Sequence, residues 1–318
     1  MGRVAQPPRL RARHRRCRSS GDTSDATGSH LTTFQQHRPL LFSLAYRMLG
    51  SATEAEDILQ DAYVRFQSAA LSDIKSPKAY LCAIVTRLCV NQLTSARARR
   101  EAYVGPWLPE PILSTDHPEL TDPEVRAMAY DSVSIAFLVL LERLTPAERA
   151  VLLLREVFDF EYDEIAEMLD KSAASCRQLF SRAKDNIAAN RPRFPVSSEE
   201  HRRLLEEFMR AAGSGDLDGL KALLAEDVTL WADGGGKVRG AALQPVRGRA
   251  DVARFVIGVT ARFMPPGAQL AVADVNGKPT LLIRHPDGRP AIVVSIEVRQ
   301  GHLHTIWAIA NPDKLRAV

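Results

Sequence analysis

The sequence predicts a multi-domain fold of two all-α helical domains, the second a helix-turn-helix, followed by an α+β domain. Three observations support this prediction. Residues 31–192 carry apolar side chains at helical spacing, with capping signals where helices begin. A proline-rich stretch interrupts that pattern at residues 101–124. The hairpin dipeptide Asn276-Gly277 lies among strand-like apolar segments near the carboxyl end.

Composition limits the class of protein. Hydrophobic residues make up 45% of the 318 residues, as in ordinary globular proteins, and no apolar run approaches the length of a membrane span. The amino terminus lacks the apolar core of a secretory signal, and the four cysteines form no C-x-x-C pair. We therefore expect a cytoplasmic protein with reduced, buried thiols and no disulfide or zinc framework.

Residues 1–30 form a basic tail. Its seven arginines and two aspartates sum to a charge of +5, whereas the whole chain carries +4. The remaining residues are therefore close to neutral. Serine, threonine and glycine follow the arginines, and few residues could enter a core, so we expect this tail to be disordered. It could contact nucleic acid non-specifically, or it could be the by-product of an upstream start codon, and the sequence favours neither.

The first helical domain spans residues 31–100. A capping box begins a helix at Ser51. One polar face of this helix carries three side chains at i, i+3 and i+4 spacing: Asp57, Gln60 and Asp61. Pro77, at a first helical position, begins another helix that ends in an arginine-rich segment.

Residues 101–124 form a linker whose prolines exclude a regular helix. It contains the apolar residues Trp107, Leu108 and Ile112. A tryptophan in a linker usually docks on a neighbouring surface. We therefore expect the linker to pack against another part of the chain.

The second helical domain spans residues 125–192. Thr145 is the predicted N-cap of a helix, with Pro146 at the first position and Glu148 as capping-box partner. Two helices around the turn KSAAS then have the layout of a helix-turn-helix. The polar face of the last helix suits base edges and phosphates and carries Arg177, Gln178, Ser181, Arg182 and Lys184. Periodicity alone slightly favours the alternative, the solvated polar face of an ordinary helical pair.

The third domain spans residues 198–318. Helical patterns come first, and GRADVARFVIGVTARF is a further helix. Apolar strand segments follow, separated by the hairpin signals Asn276-Gly277 and Asp287-Gly288. Helices followed by antiparallel strands predict an α+β domain with a sheet over helices.

The stretch DGGGK after the strand VTLWA invites comparison with a phosphate-binding loop, G-x-x-x-x-G-K-[ST]. That motif needs a glycine where Trp231 stands and a hydroxyl residue where Val238 stands. Because both requirements fail, a glycine-rich turn is favoured over a nucleotide site.

These segments resemble a known family. RMLGSATEAEDILQDAYVRF and SPKAYLCAIVTRLCVNQL are similar to domain two of the extracytoplasmic-function (ECF) sigma factors, and LTPAERAVLLLREVFDFEYDEIAEMLDKSAASCRQLFSRAK is similar to domain four. The third domain resembles a SnoaL-like domain of the NTF2-like fold. WLPEP in the linker, DGGGK after the strand and NPDKL near the carboxyl end, in this order, resemble the SigJ-like subgroup.

The resemblance implies a promoter-specificity subunit of bacterial RNA polymerase, not an enzyme, with no cofactor and no metal. Its implied partners are promoter DNA and the β′ clamp and β flap of core polymerase, with no membrane and no obligatory anti-sigma protein. The implied polymerase-binding residues are Asp57, Gln60 and Asp61. Those for the −10 element are Lys78, Arg87, Asn91, Arg97 and Arg99. Those for the −35 element are Ser175, Arg177, Gln178, Ser181, Arg182 and, on the DNA backbone, Lys184.

An extra domain on the same chain suggests control in cis. A tethered domain acts at high effective concentration, so weak contacts suffice. We hypothesise that it packs on the linker and on NPDKL, setting the spacing of the two DNA-binding domains and shifting the population able to bind polymerase and promoter. The proposed regulatory residues are Trp107, Leu108, Pro109, Asp233, Gly234, Gly235, Gly236, Lys237, Asn311, Pro312, Asp313, Lys314 and Leu315.

Another use of the third domain stays open. SnoaL-like folds often have a pocket, and some members are catalysts, so the domain could sense a small ligand or retain a catalytic pocket. Candidate lining residues are Asp233, His302, His304 and Trp307. The two histidines are two residues apart on a predicted strand, so both could face the same side. A third metal ligand at useful spacing is not evident.

Overall fold

The computed structural model describes residues 22–116, 133–188 and 197–318, and elements are numbered in the order in which these residues form them. The first helical domain contains α1 (Asp22–Leu49), α2 (Ala52–Gln67), a short 3₁₀ helix (Leu71–Asp73) and α3 (Pro77–Glu101). The Ser51 hydroxyl caps α2 by accepting from the backbone N–H of Glu54, as the sequence predicted.

Helix α1 begins inside the segment predicted to be a disordered tail. His30 is buried, its ring packs edge-on against Phe66 at 5.1 Å, and its Nε2 lies 2.9 Å from the carbonyl oxygen of Ala69. Because His30 finds both an aromatic and a polar partner, the first domain extends further towards the amino terminus than residue 31. The arginine-rich residues 1–21 lie outside the described residues.

The second helical domain contains α4 (Ile135–Leu141), α5 (Pro146–Glu156), α6 (Tyr162–Leu169) and α7 (Ala173–Ala188). The predicted capping box of Thr145 and Glu148 is present at the start of α5. The α6–α7 pair forms the helix-turn-helix, with Cys176, Ala183 and Ile187 of α7 buried. Residues 117–132, which include the predicted start of this domain, lie outside the described residues.

The two helical domains share one hydrophobic core. Helices α1 and α3 pack against α5, and α3 also packs along α6. Cys82 and Cys89 of α3 are buried free thiols in this core, and burial raises the pKa of Cys82 to about 12. The thiol of Cys176 is buried as well, so the predicted burial holds for these three cysteines, and Cys17 lies outside the described residues.

The third domain is α+β, as predicted. Its helices are α8 (Ser198–Ser214), α9 (Leu217–Leu223) and α10 (Arg249–Phe263). Its six strands are β1 (Leu224–Asp233), β2 (Val246–Arg247), β3 (Gln269–Val275), β4 (Lys278–Arg284), β5 (Pro290–Arg299) and β6 (His302–Ile309). The sheet order is β2-β1-β6-β5-β4-β3, and only the β1–β6 pairing is parallel. A short 3₁₀ helix, Pro312–Lys314, follows β6.

Both faces of this sheet are buried, and they face different partners. Leu281 and Ile283 of β4 pack into the domain's own core with α8 and α10. The intervening Leu282 points to the opposite face and packs with Leu108 of the linker and Ile135 of α4. Because neighbouring side chains of a strand point to opposite faces, the linker and the second helical domain cover the second face of the sheet.

Within the described residues, no helix combines the length and apolarity that crossing a membrane requires.

Candidate interdomain junction and nucleic-acid surfaces

Asp233 lies at the centre of the contact between the third domain and the linker. It ends β1, and its side chain is 0% exposed. Its Oδ1 accepts hydrogen bonds from the Tyr103 hydroxyl at 2.5 Å and the Gly235 amide at 3.1 Å. Its Oδ2 accepts from the Leu108 amide at 2.8 Å and from the Lys314 ammonium at 2.6 Å. Burying a carboxylate is costly unless it is paired and hydrogen-bonded, and these four donors offset that cost.

Lys314 connects the carboxyl-terminal segment to the linker. Besides Asp233, its Nζ donates to the carbonyl oxygen of Leu108 at 2.5 Å. The same Nζ lies 4.1 Å from the ring centre of Trp107 and 5.0 Å from that of Tyr103, both within cation–π range. Burial and the hydrogen bond to Asp233 raise the pKa of the Tyr103 hydroxyl, so it remains a protonated donor.

The glycines of DGGGK permit a close approach to two other segments. Gly235 and Gly236 have φ of 57° and 71°, the left-handed region that glycine adopts without strain. A Cβ at Gly235 would clash with the amide of Asn311, and a Cβ at Gly236 would lie 3.0 Å from Val104 of the linker. These two neighbours explain why both positions are glycine. The predicted glycine-rich turn is present, and the structure shows that it contacts both the linker and Asn311.

NPDKL closes the same contact from the carboxyl end. The Asn311 amide donates to the Asp233 carbonyl at 2.9 Å, and its side chain donates to the Tyr103 hydroxyl at 2.8 Å. Leu315 is buried with Leu108. Pro312 and Asp313 are exposed, and an ion pair between Asp313 and Lys237 lowers the pKa of the aspartate. The structure thus brings the three motifs WLPEP, DGGGK and NPDKL together.

Glu110 fixes the linker to the first helical domain. Its carboxylate accepts from the Ser51 hydroxyl at 2.7 Å, the Thr53 amide at 3.2 Å and the Thr53 hydroxyl at 3.1 Å. These groups surround the amino terminus of α2, where free N–H groups and the helix dipole favour a negative charge. Trp107 packs over Gly50 in the preceding turn, where a Cβ would lie 2.9 Å from the indole. Glu110 is 3% exposed, so its buried side chain holds the linker against the start of α2.

Replacing Glu110 by glutamine is expected to lower the free energy of unfolding by about 1–2 kcal/mol, because the amide loses the charge at the helix terminus and one acceptor atom. Chemical denaturation followed by circular dichroism measures this change. Glu56→Gln, on the same helix and in an exposed ion pair with Arg38, serves as the control and should change it by less than about 1 kcal/mol. Equal effects of the two variants would contradict the role given to Glu110.

Asn276, at the β3–β4 hairpin, joins three parts of the chain. Its side-chain amide donates to the Tyr46 hydroxyl of α1 at 2.6 Å and to the Val133 carbonyl before α4 at 2.9 Å. Its side-chain oxygen accepts from the Ile112 amide of the linker at 3.1 Å. The Tyr46 hydroxyl in turn donates to the Glu110 carbonyl at 2.7 Å. The predicted hairpin turn is therefore present, and its side chain ties both helical domains and the linker to the third domain.

We call the contacts of Asp233, Asn276 and Lys314 with the linker and the helical domains the junction. Four residues of the junction network were not among the predicted site residues: Tyr46, Tyr103, Glu110 and Asn276. A polar residue such as Glu110 within an apolar, proline-rich linker is the one sequence signal that could have pointed to it.

Arginine side chains join the two helical domains at helix ends. Arg87 of α3 donates to the carbonyl oxygens of Met168 at 2.7 Å and Glu167 at 2.9 Å, in the last turn of α6. Arg149 of α5 donates to the Met48 carbonyl at 2.5 Å, in the last turn of α1. The last carbonyls of a helix have no partner within it and favour a cation. These hydrogen bonds therefore hold the two domains together, and they supply partners for carbonyl oxygens that would otherwise bind water.

Comparison with known proteins identifies the family of this chain. Sigma-70 region 2 matches residues 33–99, and Sigma-70, region 4 matches residues 134–187. The chain is 37% identical over 292 residues to the ECF RNA polymerase sigma factor SigJ of Mycobacterium tuberculosis, a match that covers 89% of this chain and 92% of SigJ. The chain belongs to the ECF sigma factors.

The similarity of this sigma factor extends to structure and to other relatives. The crystal structure of Mycobacterium tuberculosis SigJ matches with a TM-score of 0.71 and 34% identity, over 90% of this chain and 98% of SigJ. The probable ECF sigma factor SigI of Mycobacterium tuberculosis is 31% identical, over 89% of this chain and 95% of SigI. An NTF2-like protein from Burkholderia xenovorans, 23% identical with a TM-score of 0.27, covers 38% of this chain and 96% of its own. The predicted fold class and the resemblance to SigJ-like ECF sigma factors are confirmed.

The predicted polymerase and −35 surfaces of the sigma factor are open to solvent. Asp57, Gln60 and Asp61 are exposed on α2. On α7, Ser175 is half-buried and the other predicted −35 residues are exposed: Arg177, Gln178, Ser181, Arg182 and Lys184. The Lys184 ammonium pairs with Glu156 at 3.0 Å, which fits its predicted place outside the base-reading positions.

The predicted −10 residues are only partly accessible. Arg87 is engaged by the carbonyl oxygens of α6, and the Lys78 ammonium lies 5.3 Å from the ring centre of Phe160 in the second helical domain. Asn91 is exposed, and the side chains of Arg97 and Arg99 lie outside the described residues. In this arrangement the second helical domain therefore covers part of the surface predicted to hold the −10 element.

The pocket predicted from Asp233, His302, His304 and Trp307 is wrong. Asp233 faces the linker, and Trp307 is buried between the sheet and the linker. His302 is the first residue of β6, with Nδ1 3.0 Å from the Gln300 carbonyl oxygen, and Nδ1 of His304 lies 3.4 Å from the exposed Asp227. Among the described residues, no group of three or more histidine, cysteine, aspartate or glutamate side chains could hold a metal ion.

Proposed function

We propose that the third domain regulates this sigma factor in cis by holding its two helical domains together through the junction. The observation that carries this proposal is the buried pair of Asp233 and Lys314, which binds the linker at the Leu108 amide and carbonyl. A buried charge pair bonded to backbone on both sides is geometrically demanding, so it favours one arrangement of the linker. The third domain thereby takes the place of a separate anti-sigma partner.

The closed arrangement opposes promoter binding. The −10 and −35 positions differ by about 25 base pairs, roughly 85 Å of B-form DNA. Domains that share one core cannot reach both elements at once, and Arg87 is bound to α6 while they are closed. We therefore infer that the sigma factor must open before it engages both elements, and that the junction sets the population of the closed state.

The open sigma factor presents three surfaces. We propose that Asp57, Gln60 and Asp61 bind the β′ clamp of core polymerase and that the second helical domain binds the β flap. Lys78, Arg87 and Asn91, once released, contact the −10 element, as do Arg97 and Arg99 by the family resemblance. The exposed face of α7 reads the −35 element in the major groove. We propose no catalytic role for the third domain, since the carboxylate of Asp233 is fully engaged by four donors.

Replacing Arg177 by alanine is expected to weaken binding to promoter DNA by about 1–3 kcal/mol and to relax the preference at one base pair, because an arginine at the start of a recognition helix can bind a guanine edge with two hydrogen bonds. Fluorescence anisotropy with a promoter fragment, measured for the holoenzyme, gives the affinity. Arg210→Ala, an exposed arginine of α8, is the control and should leave affinity unchanged. An Arg177 variant that binds every promoter sequence as tightly as the unaltered chain does would contradict the −35 assignment.

Single-molecule energy transfer tests the closed state directly. Dyes on Gln67→Cys and Asp185→Cys, both exposed, report the separation of the helical domains in a Cys17→Ser background. The native thiols of Cys82, Cys89 and Cys176 are buried and should not label. We expect a short distance for the otherwise unaltered chain and a longer one for Lys314→Met. A distance that does not respond to loss of Lys314 would overturn the proposal.

A further inference from the structure

The third domain contains an apolar cavity of about 160 Å³ that is separate from the junction. It lies between α8, α10 and the sheet, and its lining is built largely of aromatic and aliphatic side chains, among them Phe208, Met209, Phe255, Phe263, Leu281 and Ile306. Apolar cavities of roughly this size accept apolar guests. The apolar lining therefore favours an apolar ligand group over a polar one.

The opening of this cavity is apolar as well. Eight large hydrophobic side chains are exposed in the described residues, and three of them, Val238, Phe263 and Leu270, line the cavity. Two more, Val104 of the linker and Leu243, line a second groove that adjoins it. Exposed apolar side chains gathered at one place mark a binding surface more often than scattered ones do.

Among the described residues that line these two spaces, Arg239 alone carries a positive charge. Arg239 lines both the cavity and the groove, is exposed, and makes no ion pair within the described part of the chain. No acidic side chain is among the described residues that line either space. Arginine binds carboxylates with two parallel hydrogen bonds. The opening of the cavity, which we call the rim, therefore favours a ligand with an anionic head group.

The same rim touches the linker. Residues 238–241 form part of the wall of the cavity and part of the groove that Val104 and Gly105 close from the other side. Gly240 lets this wall approach α10 closely, since a Cβ there would lie 2.6 Å from the Phe263 ring. The wall follows DGGGK directly, and Gly236 of that motif packs on Val104. A guest that moves the wall therefore moves groups in contact with the linker.

We propose that this cavity binds a medium-chain carboxylic acid, with the hydrocarbon chain inside and the carboxylate on Arg239. Occupancy pushes residues 238–241 against the linker and changes the closed population of the sigma factor. The binding site stands on the cavity alone, whereas its effect on closure rests on the proposed cis regulation.

Calorimetric titration of the full chain with decanoate and with 1-decanol, both below their aggregation concentrations, tests the site. We expect decanoate to bind about tenfold more tightly than decanol, and Arg239→Gln to remove that difference. Arg202→Gln, an exposed arginine on α8 away from the cavity, should behave as the unaltered chain. Ala212→Phe, which fills the cavity from α8, should abolish binding of both probes while circular dichroism and the melting temperature are retained.

Three results would overturn the site: no binding of either probe, binding that survives Ala212→Phe in a folded protein, or decanoate affinity that ignores Arg239→Gln. Adding decanoate to the energy-transfer experiment separates the site from its effect. Binding without a change in distance, when Lys314→Met does change it, refutes the coupling and leaves cis regulation standing. Binding by a protein that Lys314→Met fails to open refutes cis regulation and leaves the site standing.

Discussion

Replacing Lys314 by methionine is expected to weaken the junction by about 3–5 kcal/mol, the usual cost of removing one partner of a buried ion pair. Methionine keeps an unbranched, apolar side chain but leaves the Asp233 carboxylate, 0% exposed, without its cation. Trp107 and Tyr103 also lose the cation–π contacts that their rings make with this ammonium group. Hydrogen exchange of the linker amides, above all that of Leu108, measures the loss, and we expect protection there to fall most.

The control for this prediction is a second lysine–aspartate pair. Lys237 and Asp313 are each 52% exposed, so Lys237→Met should cost no more than about 1 kcal/mol. The double variant Asp233→Asn with Lys314→Met should recover part of the loss, because no buried charge then remains. If Lys314→Met and Lys237→Met changed exchange equally, burial of the first pair would not matter, and the junction would lose its central support.

Replacing Asn276 by glycine is expected to lower the free energy of unfolding by about 2–4 kcal/mol. The substitution removes hydrogen bonds to Tyr46, Val133 and Ile112, and each buried group left without a partner costs about 1–3 kcal/mol, partly offset by water that enters. Glycine is chosen because Asn276 has φ of 54°, which alanine adopts only with strain. Calorimetric unfolding measures the effect.

Gln300 supplies a matched control at another hairpin. Its φ is 51°, but it is exposed at the β5–β6 turn, so Gln300→Gly should change stability by less than about 0.5 kcal/mol. A similar loss for both variants would show that the backbone, and not the side-chain contacts across three domains, is responsible. A loss confined to Asn276→Gly is the expected result.

Features encoded within a few residues were predicted correctly. The caps at Ser51 and Thr145 and the turn at Asn276 depend on side chains that act on their own neighbouring backbone. The partners of the same Asn276 side chain, Tyr46 and Val133, lie 230 and 143 residues away in sequence, and no local pattern reports them. The family resemblance was needed to group WLPEP, DGGGK and NPDKL, and the structure gave their contacts.

The predicted pocket failed for a related reason. Alternation along β6 indicates which side chains share a face of the sheet but not what covers that face. Here one face carries α8 and α10, and the other meets the linker, so Asp233 and Trp307 belong to the junction. The true cavity is lined by apolar residues such as Phe208 and Ile306, which in the sequence look like ordinary core positions.

Run-off transcription with purified core RNA polymerase tests the central claim, that the junction keeps the sigma factor closed. The template carries a promoter that the holoenzyme itself has selected from randomised DNA. A loss of about 3 kcal/mol changes the ratio of closed to open forms by roughly a hundredfold. At limiting sigma factor, Lys314→Met should therefore yield about tenfold more transcript or better, and Lys237→Met should raise the yield far less. Equal or less transcript from Lys314→Met, with unchanged binding to core polymerase, would contradict the account.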